Sequence, residues 1–321
     1  MKLLLSKILI FIISSLCILY VISLTFDSEF SDYSELNKIV SEHREINILL
    51  GDSHFIPLSD HLNDLNYLNI SYASDSIIDL FVKYKYLVEN GIIVNTIILL
   101  ADYHMFSNYR MQLNNHEKSY LYAHLIDYIK LYNGNIEQYL FNRFISLCNL
   151  HILNKGGIEY FNKLILQKYI KQFVGVDVLS TINTNTDILS RFNNIFSDLD
   201  DENRRTNTKK RFNKQFQESI NERLVLNYEY FVDQIKLNGS SLILIRMPVA
   251  NEYLELLNQY SALEKLQNNK LFKENLLLDY SDLFKERQDY FDNADHLNIE
   301  GGKIMSQVLE DTLKLINNSH K

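Results

Sequence analysis

Five short runs rich in Ile, Leu, Val or Tyr punctuate the chain, at residues 46–50, 67–72, 95–100, 242–247 and 275–279. Each has the length of a buried β-strand. Longer helical patterns stand between or after them. Residues 76–89 place Ile77, Ile78, Leu80, Phe81, Tyr84 and Leu87 on one broad face, with Ser76 available as an N-cap and Asn90-Gly91 as a stop. Strand-helix alternation of this kind predicts an α/β fold with a mostly parallel sheet covered on both faces. The two prolines agree, since Pro57 follows a turn and Pro248 ends the fourth run, so neither interrupts an element.

Residues 105–235 read differently. They are mainly helical in pattern and rich in Tyr, Leu, Phe and Lys, which predicts a helical insertion in the α/β core rather than a second independent domain. Within the insertion, the charged run from Asp198 to Lys210 reads as a solvated loop.

The first apolar stretch has another character. Residues 8–24 form an uncharged run of 17, preceded by Lys2 and Lys7 and followed by Asp27, Glu29 and Asp32. Apolar on all sides, it is long enough to span a membrane with slight thinning, and the charge asymmetry places the amino terminus in the cytoplasm. The organisation expected is an anchor over residues 1–27 and an extracytoplasmic domain over 28–321, on the periplasmic face or cell surface. A cleaved signal peptide is the competing reading. No small-x-small pattern follows the run, which favours an uncleaved single-pass anchor.

Composition narrows the functional classes. Of the 321 residues 46% are hydrophobic, ample for a core, and the net charge of -8 argues against a nucleic-acid partner, because counterion release needs a surplus of cations facing the phosphates. The two cysteines, Cys17 and Cys148, give neither a disulfide framework nor a metal spacing. His61 with Asp64, and His116 with His124, form no recognisable ligand set, and there is no Gly-rich phosphate loop or dinucleotide fingerprint. Chemistry without metal or cofactor is expected.

The candidate chemistry sits at strand ends. The first run breaks into Gly51-Asp52-Ser53-His54, placing a serine hydroxyl at a strand's carboxyl end, where open α/β sheets bind ligands. Ser74, Asp75 and Ser76 follow the second run, Asp102 and His104 the third, and the segment from Asp292 through Asn293, Asp295 and His296 precedes the last helix. A serine nucleophile needs a base, a group to orient that base, and donors for the oxyanion. His54, adjacent in sequence to Ser53, is read as a rim residue, and His104 and Asp102 as candidates to line the pocket.

Gly51-Asp52-Ser53 after a strand, with His296-Leu297-Asn298 and Gly301 before a terminal helix, resembles the SGNH/GDSL hydrolase superfamily. The resemblance covers residues 46–110 and 240–316. It implies a flavodoxin-like three-layer α/β/α core, Ser53 as nucleophile and His296 as general base. The acid that the family carries three residues before its histidine is here Asn293; Asp292 is a candidate to take its place by a one-residue shift in the loop, and Asn293 itself is a candidate to hold the imidazole without stabilising its charge. Asp295, beside the histidine, is aimed at the ring only if the turn is sharp. The family's oxyanion glycine and asparagine are both missing, which leaves Ser74 and its neighbours' N–H groups, with His104 as a further donor.

This pattern is most similar to the divergent membrane-anchored branch that works on cell-envelope polymers, including proteins of alginate acetylation and teichoic-acid alanylation. The resemblance implies an esterase or O-acyltransferase acting on ester-linked acyl groups, O-acetyl above all, of a surface polysaccharide or a small acyl ester, with a membrane acyl-donor protein as partner. The departures at Asn293 and in the oxyanion blocks keep a second reading open, in which the fold serves as a non-catalytic polysaccharide-binding or assembly component.

Overall fold

A computed structural model of the chain describes residues 6–8, 10–11, 13–15, 17–18, 32–58, 66–111, 119, 122–132, 140, 190–216 and 220–319. About half of the apolar run at 8–24, including all of 19–24, lies outside the described residues. Among those that are described, no helix is long and apolar enough to cross a membrane. The chain divides into two compact units, residues 1–42 with 116–183, and residues 43–115 with 184–321. In the first unit helices are described at Asp32–Glu42 and Leu125–Tyr132. The second unit carries the sheet and the candidate site.

Its sheet has five strands, all parallel: β1 Glu45–Leu50, β2 Tyr67–Asn69, β3 Ile93–Leu100, β4 Ser241–Arg246 and β5 Leu276–Asp279, in the spatial order β2-β1-β3-β4-β5. All five apolar runs thus form strands. The consecutive buried residues Ile48, Leu49 and Leu50 in β1, and Ile97 to Leu100 in β3, require cover on both faces, as parallel sheets demand. Helix α1, Ile77–Glu89, connects β2 to β3 and begins with a capping box, in which Ser76 accepts from the Asp79 N–H and Asp79 accepts from the Ser76 N–H. Chain order reverses at β1 and β3, so their carboxyl ends flank the crevice where such sheets bind ligands.

Two helices of the stretch expected as an insertion belong to this unit: α2, Asp201–Phe216, and α3, Glu222–Leu237. α3 packs its Phe231 against Phe81 and Tyr84 of α1, with ring centroids 5.5 and 5.6 Å apart. The charged run from Asp198, expected as a solvated loop, is mostly α2. Asp200 caps it by accepting from the Asn203 N–H at 2.8 Å, Asp201 and Glu202 occupy the first turn, and Lys214 lies in the last. Tertiary contacts hold it down. Arg204 donates to Glu252 at 3.1 Å, and Phe212 meets Tyr253, on helix α4, Asn251–Gln259.

The chain closes with a small antiparallel hairpin, β6 Phe291–Asn293 and β7 His296–Leu297, followed by helix α5, Ile299–Ser319. Asn298 anchors this junction: its Oδ1 accepts from the Gly301 N–H at 2.9 Å and its Nδ2 donates to the Asp289 carbonyl at 2.7 Å. A Cβ on Gly302 would lie 2.3 Å from the Pro57 carbonyl oxygen, so the glycine lets α5 press against the segment after Ser53.

Candidate active site

The turn after β1 is built so that Ser53 faces outward. A Cβ on Gly51 would meet the Phe55 ring at 2.7 Å and Leu100 Cβ at 2.9 Å, and so glycine alone fits between the two strand ends. Asp52 is fully buried and holds the turn from within. Its Oδ1 accepts from the His54 N–H at 3.0 Å, while Oδ2 accepts from His104 Nε2 at 2.9 Å and from Arg110. Although burial works against its charge, Arg110 and the two histidines hold the Asp52 carboxyl well below the usual carboxylate range.

Ser53 Oγ lies 2.8 Å from His296 Nε2, across 243 residues of sequence. Asn293 pairs with His296 in the hairpin, leaving Ala294 and Asp295 as a two-residue turn. That turn is sharp enough to bring the Asp295 carboxylate back to the ring of its own neighbour, with Oδ1 3.1 Å from His296 Nδ1. Asn293 Oδ1 lies 3.2 Å from the same nitrogen, and Arg211 Nη2 lies at 3.0 Å. The nitrogen cannot serve both kinds of partner. A guanidinium only donates, so it needs a bare Nδ1, whereas the two oxygens need Nδ1–H. The buried carboxylate favours Nδ1–H, and that tautomer leaves the Nε2 lone pair free to accept the Ser53 hydroxyl.

Asp295 gathers three further partners. Gln215 Nε2 donates to its Oδ2 at 2.7 Å, Arg211 pairs with Oδ1, and His54 Nε2 stands 3.5 Å from Oδ2, an ion-pair rather than a hydrogen-bond contact. Burial opposes its charge, yet His296, Arg211 and His54 hold its carboxyl well below the usual range. His54, only 3% exposed, is not a rim residue: Nδ1 is bonded to Asp102, whose other oxygen accepts from the Met247 N–H at 2.8 Å. With a carboxylate at each ring nitrogen it is an imidazolium. Burial pushes its pKa down, but Asp52, Asp102 and Asp295 together raise it to about 10. The effect on His296 is opposite: burial lowers it, Asp295 resists, and the cations of His54 and Arg211 help bring it to about 4. His296 is therefore neutral at pH 7.

Ser53 and His296 open into a cavity of about 260 Å³ that Ser74, Tyr109, Arg110, Arg211, Lys214 and Gln215 also line. Ser74 has φ 69°, a left-handed conformation uncommon for serine. The main-chain N–H groups of Ser53 and Ser74 make no hydrogen bond among the described residues, so both are available as donors.

Other expected residues fall elsewhere. Asp292 does not reach His296: its Oδ1 accepts from the Asn194 N–H at 3.2 Å and from Asn194 Nδ2 at 2.9 Å, which turns the carboxylate away from the ring. His104 does not line this cavity, because its ring is drawn inward to Asp52. It borders instead a cavity of about 20 Å³ beside His54 and Asp102. Arg110, Arg211, Lys214 and Gln215 escaped the sequence reading. A signal existed for two of them: Arg211 and Gln215 stand four apart in a run that opens on acidic residues, as a helix with one inward face would.

Two groups, Asp52 with His54 and His104, and His54 with Asp295 and His296, bring potential metal ligands within 4.8 Å of one another. Their chemistry suits ion pairing better. Arg110 already sits on Asp52 and Arg211 on Asp295, and His54 is itself a cation.

No known protein-family model matches the chain, and no curated protein matches it. Among solved structures, the chain is similar to one from Bacteroides fragilis NCTC 9343 described as a "putative acylhydrolase". The TM-score is 0.39 at 10% sequence identity, over 90% of this chain and 97% of that one.

Proposed function

We propose that the protein is a serine acyl-transfer enzyme with Ser53 as nucleophile, His296 as general base and Asp295 as the acid that orients it. One observation carries this reading: Ser53 Oγ stands 2.8 Å from Nε2 of an imidazole whose Nδ1 faces a buried carboxylate at 3.1 Å. Ser53 attacks the acyl carbon as its proton passes to Nε2. The developing oxyanion is received by the N–H groups of Ser53 and Ser74, and the alcohol leaves with the proton that His296 returns. Water then releases the acyl group as an acid, or a second alcohol carries it away as a new ester.

The finer reading is an exported, membrane-anchored enzyme of SGNH type with a flavodoxin-like strand order, acting on O-acetyl groups of a surface polysaccharide. The apolar run at 8–24 and the Gly51-Asp52-Ser53 and His296-Leu297-Asn298 segments support it. The binding-only alternative rests on Asn293 standing where an acid is expected and on the missing oxyanion blocks; against the first stands Asp295, whose carboxylate lies at that ring nitrogen.

The test is release of 4-nitrophenol from 4-nitrophenyl acetate by the full chain. Turnover that falls to the spontaneous rate in both Ser53→Ala and His296→Ala supports the assignment. Turnover that survives Ser53→Ala rules it out.

A further inference from the structure

The cavity in front of Ser53 has a one-sided charge. Arg110, Arg211 and Lys214 line it, Tyr109 and Gln215 complete the wall, and among the described residues no carboxylate does. The acids that pair with the arginines lie behind that wall, Asp52 and Asp295 being fully buried. Each carboxylate occupies only part of its arginine's donor set, since a guanidinium has five N–H donors. Lys214 meets no carboxylate among the described residues, and its Nζ stands 5.4 Å from the centroid of the Tyr109 ring, with Arg110 Cζ 5.6 Å from the same centroid. The chain as a whole is acidic, with a net charge of -8. Three cations gathered at one opening of an acidic protein are therefore a local feature rather than a reflection of composition.

A neutral acetylated sugar offers no charge to Lys214, whose ammonium, unlike the guanidinium groups of Arg110 and Arg211, has no carboxylate paired with it among the described residues. Guanidinium and ammonium groups arranged this way bind a carboxylate or phosphate through charge-assisted hydrogen bonds. We propose that the ester consumed at Ser53 carries an anionic substituent, a carboxylate or a phosphate, seated on Lys214 and the outer N–H groups of Arg110 and Arg211. The inference rests on the acyl-transfer reading of Ser53. It makes Lys214 the chief specificity residue, because the two arginines also hold the carboxylates behind them.

The test compares three acetyl esters, neutral 4-acetoxybenzamide, 4-acetoxybenzoate and 4-acetoxyphenyl phosphate, each kcat/KM being divided by the ester's spontaneous hydrolysis rate. In the wild-type chain at least one anionic ester should exceed the neutral one about tenfold, the scale of one charge-assisted hydrogen bond. Which one does so separates carboxylate from phosphate. In Lys214→Glu the anionic-to-neutral ratio should fall to one or below, and in wild type it should shrink at high ionic strength. Turnover of the three esters at equal corrected rates overturns the inference and leaves the acyl-transfer reading standing. If none is turned over, titration of inorganic phosphate into Ser53→Ala at low salt decides. Saturable binding lost in the Ser53→Ala, Lys214→Glu double variant sustains the anion site while the acyl-transfer reading fails. No binding overturns the anion site.

Discussion

Asp295 faces the imidazole of its own sequence neighbour, His296, with Oδ1 3.1 Å from Nδ1. Adjacent residues in an extended strand point to opposite faces, and it is the two-residue turn of the β6–β7 hairpin that overcomes this. The carboxylate at this nitrogen therefore comes from the position next to the histidine rather than from a residue further upstream.

Asp295→Asn should lower kcat by about 10²- to 10⁴-fold, because an amide no longer fixes the Nδ1–H tautomer or stabilises the imidazolium that forms. It also leaves Arg211 and His54 facing a neutral group, so a stability loss on the order of 3 kcal/mol is expected from breaking a buried pair. Asp292→Asn, at a carboxylate bonded to Asn194, should stay within about twofold of wild type. Steady-state kinetics on folded protein, with thermal melts of each variant, separate the two acids.

Much of this arrangement is legible in the sequence. The five apolar runs and the Ser76 cap are local signals: burial on both faces of a parallel sheet leaves a continuous hydrophobic run, and the cap is read from the residue that opens the helical pattern. Which carboxylate stands at His296 Nδ1 is not legible, since choosing among Asp292, Asn293 and Asp295 depends on a turn geometry that spacing does not encode. Arg211 and Gln215 were hidden for another reason. The polarity of the run from Asp198 to Lys210 suggests a loop, and packing against α4, through Arg204 with Glu252 and Phe212 with Tyr253, holds α2 as a helix with an inner face. His54 was misplaced because a polar residue beside a nucleophile looks like a rim residue, whereas three carboxylates draw it inside.

The pH dependence of activity follows from His296, whose pKa lies at about 4. A base must be unprotonated, so kcat/KM should be flat near neutrality and fall as pH drops through about 4. His54→Asn removes a cation whose ring centroid lies 4.4 Å from that of His296. The imidazolium is then less disfavoured, the His296 pKa rises, and the acid limb moves to higher pH. An acid limb that stays in place would separate His54 from His296 electrostatically.

Stability should depend on pH through the same pair, with opposite signs. His54 rises from its ordinary 6.5 to about 10, so its contribution is complete below 6.5 and is lost as pH climbs through about 10. His296 falls from 6.5 to about 4, so its contribution is present above 6.5 and is lost as pH drops through about 4. Denaturant titrations between pH 4 and 10 should show a maximum near neutrality, and His54→Asn should flatten the alkaline side.

Gly302→Ala tests the seat of α5. Its methyl would lie 2.3 Å from the Pro57 carbonyl, a backbone atom with little room to give. A destabilisation of about 1–3 kcal/mol is expected from overpacking. Activity should suffer as well, since the displaced segment follows Ser53 directly. A thermal melt together with an esterase assay reads both effects.

The central claim, that Ser53 is a nucleophile activated by His296, is tested most directly by reaction with a fluorophosphonate and mapping of the adduct by mass spectrometry. The account predicts a single adduct on Ser53, abolished in Ser53→Ala and slowed by at least about 10³-fold in His296→Ala. An adduct on another residue, or labelling of Ser53 that proceeds equally fast without His296, would contradict it.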